Sequence, residues 1–360
     1  MKAAVLEAPG RLVVREVATP EPGPGDVLIQ VVAAGICGSD VPRVLVTGTY
    51  RHPLIPGHEF AGLVAAVGPR VDATWLGRRV VAAPLIPCGR CPQCVGGHYS
   101  LCDDYDYLGS RRDGAFAEFV VAPAANLLPI PDGVPEEAGA LCEPASVALH
   151  GLWQVGVESG DRVVVLGAGP IGLLATMWAR ILGGSWVGVV DVVPAKLALA
   201  SRLGVDACLN AAERDPAEAV AEATGGDGAD LVVEAVGVPA TQEQALRMVR
   251  KRGRVLYLGN PHGTLAVPEA TFARILRREL TIKGSWNSFS APFPGREWTT
   301  TLEALADGRL NALGLVTDRF ALQEAPDVFQ AIAQRGSTHL KVLLIPGQHQ
   351  AHCARTGARS

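Results

Sequence analysis

Strand-like and helix-like segments alternate strictly between residues 162 and 259, and this alternation limits the possible folds more than any other feature. The predicted strands are the Val-rich runs 162–169, 185–191, 229–237 and 253–259. The predicted helices between them span 170–183, 194–204 and 241–251. Repeated strand–helix–strand units build a doubly wound parallel sheet. We therefore predict an α/β domain in this part of the chain.

The residues before this region have a different character. Apolar, Val-rich runs predict strands at 27–36, 60–68 and 78–86, and few helical periodicities occur among them. We expect a compact, barrel-like, β-rich domain here. A helix over 144–157 is predicted to lead out of it.

The length of the chain supports a division into two domains. A chain of 360 residues exceeds the size of one typical hydrophobic core. Residues after about 285 do not continue the alternation, and we expect them to return to the first domain and to close with a strand over 339–346. The tail 347–360 is polar and rich in small residues, so we predict that it is disordered.

Composition and charge exclude several classes of protein. The chain is 48% hydrophobic and 19% charged, with a mean hydropathy of +0.22, which argues against disorder. The net charge of −4 gives no basic field for nucleic acid or an anionic membrane. The sequence contains no apolar run of membrane-spanning length and no signal peptide, so we expect a cytoplasmic protein with neither nucleic-acid nor membrane partners.

A glycine-rich turn follows the first strand of the alternating region. It reads Gly167, Ala168, Gly169, Pro170, Ile171 and Gly172. A GxGxxG turn between a strand and a helix predicts a dinucleotide site, with the pyrophosphate at the helix N-terminus. Asp191 ends the next strand at the spacing expected of a ribose-binding acid and favours NAD over NADP. Asp191 would otherwise be a turn residue, and Lys196 either touches the ribose or is a solvated helix lysine.

Four cysteines lie between residues 88 and 102. Their spacing, C-x2-C-x2-C-x7-C, is typical of a closed tetrahedral Zn²⁺ site. Iron–sulfur clusters use similar spacings, but the neighbouring features indicate hydride chemistry instead. We predict that Cys88, Cys91, Cys94 and Cys102 hold a structural zinc ion.

Ligand-type side chains occur in three further segments, which contain Cys37, His58 with Glu59, and Glu143. One thiolate, one imidazole and one or two carboxylates suit Zn²⁺ with an open position for substrate. An ion there would lower the pKa of the substrate hydroxyl and favour hydride release to nicotinamide. Ser39 would begin a proton relay, and Asp40 would orient the imidazole. Taken alone, each residue has a structural explanation. Cys37 would be a buried core thiol, His58 a hydrogen-bonded core histidine, and Glu143 a negative charge favoured at a helix N-terminus.

The motifs GICGSD (35–40), GHEFAG (57–62), the four cysteines and GAGPIG together resemble the zinc-containing medium-chain dehydrogenase/reductase family. The resemblance implies a GroES-like catalytic domain over 1–148, completed by 288–346, and a Rossmann domain over 149–287. It also implies NAD and two zinc ions per chain. CEPASVALHG (142–151) resembles the polyol dehydrogenase branch, in which Glu59 and Glu143 sit at the zinc together with Cys37 and His58.

Further segments resemble the branch that oxidises galactitol 1-phosphate to tagatose 6-phosphate with NAD. They are 37–44, 105–121 and 284–298. Sorbitol-type, xylitol-type and threonine-oxidising relatives share such segments and stay open as alternatives. Pro42 occupies the position where many members carry the histidine that ends the proton relay, so the proton must leave by another route, through Glu59 or Glu143.

The resemblance also directs attention to substrate and partner residues. A sugar phosphate needs a cation, and the candidates are Arg43, Arg51, His52, Arg111, Arg112 and Lys283. Candidates to line the pocket are Trp286, Asn287, Phe289 and Trp298. In the family the strand near TIKGS (281–285) pairs between subunits, which implies a homodimer or homotetramer.

Two other functional classes use the same scaffold. One is a zinc-free quinone reductase, and the other is a non-catalytic, NAD-binding regulatory relative.

Overall fold

The computed structural model describes residues 1–334 and 336–347. The strands are β1 (Lys2–Ala8), β2 (Arg11–Glu16), β3 (Asp26–Gly35), β4 (Glu59–Val67), β5 (Arg79–Ala82), β6 (Leu85–Ile86), β7 (Asp106–Tyr107), β8 (Phe119–Pro123), β9 (Leu127–Pro129), β10 (Arg162–Leu166), β11 (Trp186–Asp191), β12 (Ala207–Asn210), β13 (Ala229–Glu234), β14 (Val249–Tyr257), β15 (Thr281–Gly284), β16 (Val316–Ala321) and β17 (Lys341–Ile345).

The helices are α1 (Asp40–Pro42), α2 (Pro92–Val95), α3 (Glu136–Gly139), α4 (Cys142–Val155), α5 (Pro170–Ile181), α6 (Pro194–Arg202), α7 (Pro216–Ala223), α8 (Pro239–Met248), α9 (Glu269–Arg277), α10 (Arg296–Ala306) and α11 (Ala325–Ala333). A π-helical turn covers Arg43–Thr47. Short 3-10 turns cover Ala73–Trp75, Tyr99–Leu101, Ala124–Asn126, Ala312–Leu315 and Leu322–Glu324.

The alternating region forms a six-stranded parallel sheet in the order β12-β11-β10-β13-β14-β15. Apolar clusters cover both faces, which is why its central strands read as continuous Val-rich runs. The predicted helix over 241–251 was wrong at its end. Val249 already pairs with Ala229, so the last three residues of that prediction belong to β14.

The first part of the chain forms a seven-stranded sheet in the order β16-β17-β3-β4-β5-β9, with β8 also paired to β3. The run 78–86, predicted as one strand, divides into β5 and β6. Pro84 lies between them and has no N–H group for a sheet hydrogen bond, which explains the break. The mixed architecture confirms the predicted fold class, in which a β-rich domain accompanies a doubly wound α/β domain.

The last strands of the chain return to the first sheet. β17 pairs with β3 in antiparallel register, with Leu343 opposite Gly35, and β16 pairs with β17. This pairing places residues near the C-terminus beside residues near position 36. Apart from Gly347, the tail predicted to be disordered lies outside the described residues. Among the described helices, none has the length and apolarity needed to cross a bilayer.

Helix α4 connects the two sheets. Its first turn carries Glu143 toward the seven-stranded sheet, and its body packs on α5, α10 and β14. The indole of Trp178 on α5 donates a hydrogen bond of 2.9 Å to the carbonyl of Ala145. On the α10 side, His150 lies 2.6 Å from the carboxylate of Glu297. A side chain at the start of α4 is therefore held in a fixed position relative to the nucleotide domain.

Candidate active site and metal centres

The four cysteines between residues 88 and 102 form one cluster. All four sulfurs lie within 4.8 Å of one another, with Cys88 and Cys94 at 3.9 Å and Cys91 and Cys102 at 4.0 Å. Zinc–sulfur bonds of about 2.3 Å in a tetrahedron place sulfurs about 3.8 Å apart. The cluster therefore has the chemistry and size that a closed zinc site requires.

A second cluster joins Cys37, His58 and Glu59, whose ligand atoms also lie within 4.8 Å of one another. Cys37 follows the end of β3, and Glu59 is the first residue of β4. Antiparallel pairing sets Gly35 of β3 opposite Glu59 and so brings the two segments together. His58 and Glu59 are buried and Cys37 is half-buried, which leaves one side of the cluster accessible.

Asp40 supports the imidazole of His58. Its Oδ1 lies 3.3 Å from Nδ1 of His58, and its Oδ2 accepts a hydrogen bond of 3.1 Å from the backbone N–H of Cys37. Burial disfavours the charged imidazole, but Asp40 and Cys37 outweigh it and raise the pKa of His58 well above its ordinary value. Burial also opposes ionisation of Asp40, but His58 and Arg43 lower its pKa on balance. This arrangement places Nδ1 beside a carboxylate and leaves Nε2 free for another partner.

Glu143 lies beside this cluster and outside the group of three close ligand atoms. Its Oε1 accepts a hydrogen bond of 3.2 Å from the hydroxyl of Tyr107. Burial raises the pKa of Glu143 to about 7, with His58 opposing and Glu59 adding to the increase. Burial and the neighbouring carboxylate also raise the pKa of Tyr107 well above its ordinary value, so the phenol stays a donor. Sequence reasoning did not single out Tyr107, which it named only as part of the segment 105–121.

Lys341, at the start of β17, is a second residue that sequence reasoning missed. Its side chain is only 1% exposed, and its ammonium group forms an ion pair with Glu59 and donates a hydrogen bond of 3.1 Å to the carbonyl of Ile36. Burial opposes its charge, but Glu59 and Cys37 raise the pKa of Lys341 on balance. The available signal was a single cation at the edge of the apolar run KVLLI.

Ser39 lies between Cys37 and Arg43. Its hydroxyl donates a hydrogen bond of 3.2 Å to the sulfur of Cys37 and accepts one of 3.0 Å from Nη1 of Arg43. Arginine stays protonated and cannot accept a proton, and Pro42 has no acceptor in its side chain. The predicted relay from Ser39 therefore has no base at its next position.

The glycine-rich turn has the backbone that the motif predicts. Gly167 has a φ of +98°, which favours glycine, and a Cβ on Gly172 would approach the carbonyl oxygen of Gly167 to 1.8 Å. Gly169 caps α5 and has open space where its side chain would be. Pro170 and Ile171 begin α5, and the unpaired N–H groups in the first turn of a helix attract phosphate. The local geometry fits a pyrophosphate at this turn.

Asp191 accepts hydrogen bonds from three backbone N–H groups. Ala168 donates to Oδ2 at 2.7 Å, and Val192 and Val193 donate to Oδ1 at 2.7 and 2.9 Å. The carboxylate thus has the turn role considered as its alternative. Both lone pairs of Oδ1 are used in these bonds, and Oδ2 keeps one lone pair for a ribose hydroxyl. Lys196 is half-buried on α6, near the same strand end.

The six candidate phosphate anchors differ in position. Arg43 alone among them contacts Ser39, which places its guanidinium at the Cys37 cluster. Arg51 pairs with Asp113 at 3.3 Å, and Arg112 with Asp106 at 2.8 Å. Arg111 lies between the rings of Tyr50 and Tyr105, His52 packs against Gly48, and Lys283 is exposed on β15.

Two of the candidate pocket residues prove to be core residues. Phe289 and Trp298 are each 1% exposed, and their rings stack with centroids 5.8 Å apart. Both side chains belong to one apolar cluster, and Phe289 also borders a cavity lined by Trp286 and Lys283. Trp286 is 48% exposed, and Asn287 adopts a left-handed backbone conformation with φ of 55°. These two stay compatible with a surface that meets substrate or a second subunit.

Comparison with known proteins fits this geometry. Residues 23–132 match the alcohol dehydrogenase GroES-like domain, and residues 170–307 match the zinc-binding dehydrogenase domain. The chain belongs to the zinc-containing medium-chain dehydrogenase/reductase family. The predictions of the family and of a zinc-dependent alcohol or polyol dehydrogenase are confirmed. The relatives that the chain matches include named dehydrogenases, which favours catalysis over a non-catalytic role.

Several members of the family resemble the enzyme over nearly its full length. It is 38% identical to the galactitol 1-phosphate 5-dehydrogenase of Escherichia coli K12, over 96% of this chain and 100% of that protein. The crystal structure of the Escherichia coli galactitol-1-phosphate dehydrogenase superposes with a TM-score of 0.90, covering 96% and 100% of the two chains. The sorbitol dehydrogenase of Bacillus subtilis is 33% identical over 97% and 98%. A candidate zinc-binding dehydrogenase of Sinorhizobium meliloti, bound to NADP, is 36% identical with a TM-score of 0.89, over 96% and 99%.

Proposed function

We propose that the enzyme oxidises a secondary hydroxyl of a polyol phosphate, with galactitol 1-phosphate as substrate and tagatose 6-phosphate as product. The observation that carries this proposal is the contact between Arg43 and Ser39, which puts a guanidinium beside Cys37, His58 and Glu59. In a substrate oxidised at C5 and phosphorylated at C1, four C–C bonds separate the two carbons, so the phosphate needs a cation near the metal site and not at it. The likeness to galactitol 1-phosphate 5-dehydrogenase supports the same substrate.

The second part of the proposal assigns two zinc ions to each chain. Cys88, Cys91, Cys94 and Cys102 would hold a structural ion. Cys37, His58 and Glu59 would hold the catalytic ion, with Glu143 near enough to join them when the site rearranges. When bound, the catalytic ion supplies a Lewis acid that favours loss of the hydroxyl proton, and NAD accepts the hydride.

The residues around that site have separate tasks in this scheme. Arg43 binds the phosphate, and its planar guanidinium can do so through two hydrogen bonds. Asp40 keeps the His58 ring in place. The free oxygen of the Glu143 carboxylate takes the substrate proton, because Glu143 is buried beside the cluster and lies outside its three close ligand atoms. Tyr107 holds the other oxygen of Glu143 and fixes its direction.

NAD is the cofactor we propose. The Asp191 carboxylate, fixed by three backbone donors, would accept one ribose hydroxyl through Oδ2 and repel a 2′-phosphate. Because the Sinorhizobium meliloti relative binds NADP, the choice between NAD and NADP needs a direct test. Initial rates with NAD and NADP at equal concentration decide it, and faster turnover with NADP would reverse the assignment.

We further propose a homodimer or homotetramer in the cytoplasm. The outer strand β15 is exposed along all four residues and ends the six-stranded sheet, so its edge is available to a second copy. All seven described cysteines are free thiols, which suits a reducing compartment. Light scattering of the purified protein gives the subunit number, and a monomer would contradict the assignment.

The substrate is tested by measuring NADH formation over a panel. It contains galactitol 1-phosphate, galactitol, sorbitol, xylitol and threonine. We expect the highest kcat/KM with galactitol 1-phosphate. Best activity with sorbitol or xylitol would move the enzyme to the free-polyol group, and best activity with threonine to the threonine 3-dehydrogenase group.

The role of Arg43 is tested by comparing phosphorylated and free polyol. Arg43→Ala should raise the KM for galactitol 1-phosphate by about ten- to a hundredfold, the range for a lost hydrogen bond to a charged group, and change the KM for galactitol little. Arg111→Ala tests the other well-ordered candidate. Arg112→Ala, which removes a cation already paired with Asp106, is the matched control. An unchanged KM ratio in Arg43→Ala would exclude this anchor.

A further inference from the structure

Lys341 is a buried cation next to the proposed catalytic metal site. It lies at the start of β17, is 1% exposed, and contacts the carboxylate of Glu59 and the carbonyl of Ile36. Burying a lysine costs several kcal/mol unless a partner compensates, so such a residue inside a sheet calls for a reason beyond packing. Its partner is one of the three clustered ligand residues.

The sheet is built to let this lysine reach Glu59. β3 lies between β17 and β4, so the side chain of Lys341 must pass over β3. It passes at Gly35, where a Cβ would come within 2.4 Å of Oε2 of Glu59 and 3.2 Å of Cε of Lys341. The absence of a side chain at Gly35 therefore creates the space in which the ion pair forms.

The charges around the pair suggest what it does. Lys341 lies close enough to the groups of Cys37, Glu59 and Glu143 to interact with all three. A fixed positive charge there attracts one oxygen of Glu59 and repels a divalent ion. The carboxylate of Glu59 therefore interacts with both Lys341 and the metal ion, and each interaction weakens the other.

We propose that Lys341 is a positioning residue that keeps Glu59 a weak, exchangeable ligand and so leaves a coordination position for the substrate hydroxyl. The inference rests on the proposed metal role of Cys37, His58 and Glu59. The competing explanation is that the ion pair only stabilises the sheet. The two explanations predict opposite effects on metal retention when the lysine charge is removed.

The experiment uses the full-length holoenzyme with Co²⁺ exchanged into the catalytic site. Lys341→Met should release Co²⁺ to a chelator more slowly by about tenfold, at the lower end of the changes seen for groups behind metal ligands. Added imidazole should perturb the visible Co²⁺ spectrum of the wild type more strongly than that of Lys341→Met, because a firmly bound Glu59 leaves one exchangeable position fewer. The kcat/KM for galactitol 1-phosphate should fall, and Lys341→Arg should restore the wild-type spectrum.

Two further variants complete the design. Lys341→Gln is neutral but can still donate to the Ile36 carbonyl, so it replaces Lys341→Met if that variant does not fold. Glu59→Gln should abolish the effect of Lys341→Met on Co²⁺ release, since the effect acts through the carboxylate. Arg254→Met is the matched control. It removes the largely buried partner of Asp161 and should lower thermal stability without changing the Co²⁺ spectrum.

The outcomes separate the two proposals. Faster metal release in Lys341→Met, or a spectrum that responds to imidazole as strongly as that of the wild type, would overturn the role of Lys341 and leave the proposed function intact. A wild-type chain that holds only one metal ion would overturn the proposed function, and this inference with it.

Discussion

The two metal-ligand clusters of this protein are assembled in different ways. The four cysteines lie close together in sequence, and their sulfurs accept hydrogen bonds from the backbone N–H groups of Cys88, Cys91 and Cys94. The Cys37 cluster joins the ends of separate strands and adds Lys341, which is 282 residues from Glu59. The first cluster depends on a local loop, and the second on the register of a whole sheet.

The surroundings of the clusters differ as well. Four thiolates complete a tetrahedron and leave no place for substrate. Cys37, His58 and Glu59 provide three donors, and charged groups adjoin them on several sides, namely Asp40, Arg43, Glu143 and Lys341. Under the assignment we propose, the structural site needs little beyond its ligands, whereas the catalytic site depends equally on the groups behind them.

The largest effect should come from the cluster of Cys37, His58 and Glu59, which we call the open cluster because it leaves a position for substrate. Cys37→Ala removes one of three ligands, and loss of the Lewis acid should lower kcat by about a thousandfold or more, since the ion is worth several kcal/mol in the transition state. Steady-state kinetics and metal analysis measure this. Cys208→Ala, a half-buried cysteine of β12 outside both clusters, should leave activity and metal content unchanged. Full activity in Cys37→Ala would remove the distinction between the clusters.

Substitutions in the four-cysteine cluster, which we call the closed cluster, should change the stability of the protein more than its catalytic rate. Cys94→Ala should lower the melting temperature by about 10 °C, corresponding to a few kcal/mol in a domain of this size, because the loop loses its ion. The folded fraction should keep most of its kcat at low temperature and retain one ion per chain. A loss of kcat as large as that of Cys37→Ala, with the melting temperature unchanged, would contradict a purely structural role for the four cysteines.

The pair of Asp40 and His58 should give the open cluster a pH dependence in the metal-free protein. The pKa of His58 is raised, so its stabilising contribution is complete below pH 6.5 and disappears as pH rises through the folded-state value. The pKa of Asp40 is lowered, so its contribution is complete above pH 3.8 and disappears as pH falls through its folded-state value. Asp40→Asn should therefore destabilise most between these limits, by about 3 kcal/mol for a broken buried pair.

Denaturant unfolding at several pH values measures this profile. Asp318→Asn is a matched control, because Asp318 pairs with His339 at a more exposed position, where such pairs contribute about 1 kcal/mol or less. An Asp40→Asn effect that is constant with pH would show that the carboxylate acts only through packing.

The smallest effect should come from the rim of the closed cluster. Arg90 pairs with Asp104 at 3.2 Å, and both side chains are largely exposed. Arg90→Ala should shift the melting temperature by less than about 2 °C, because exposed ion pairs contribute little. Thermal unfolding and metal analysis measure this. Loss of the ion from this variant would show that the lobe depends on more than its four sulfurs.

Features encoded within short segments were predictable from the sequence. The GAGPIG turn has the backbone the motif requires, with Gly167 and Gly172 in close approach, because the conformation depends on neighbouring residues. The four cysteines likewise meet because short loops bring them together. The parallel sheet followed from its strand and helix alternation, since each unit closes on the next.

Only the tertiary structure decided which distant residues meet. It places Lys341 beside Glu59 and Tyr107 beside Glu143, it leaves Glu143 outside the tight cluster, and it buries Phe289 and Trp298 in the core. These contacts depend on strand register and on the path of the chain between sheets, and a one-residue shift in register would separate them. Short sequence motifs thus predict which residues can bind a metal, whereas long-range packing decides which charged groups surround them.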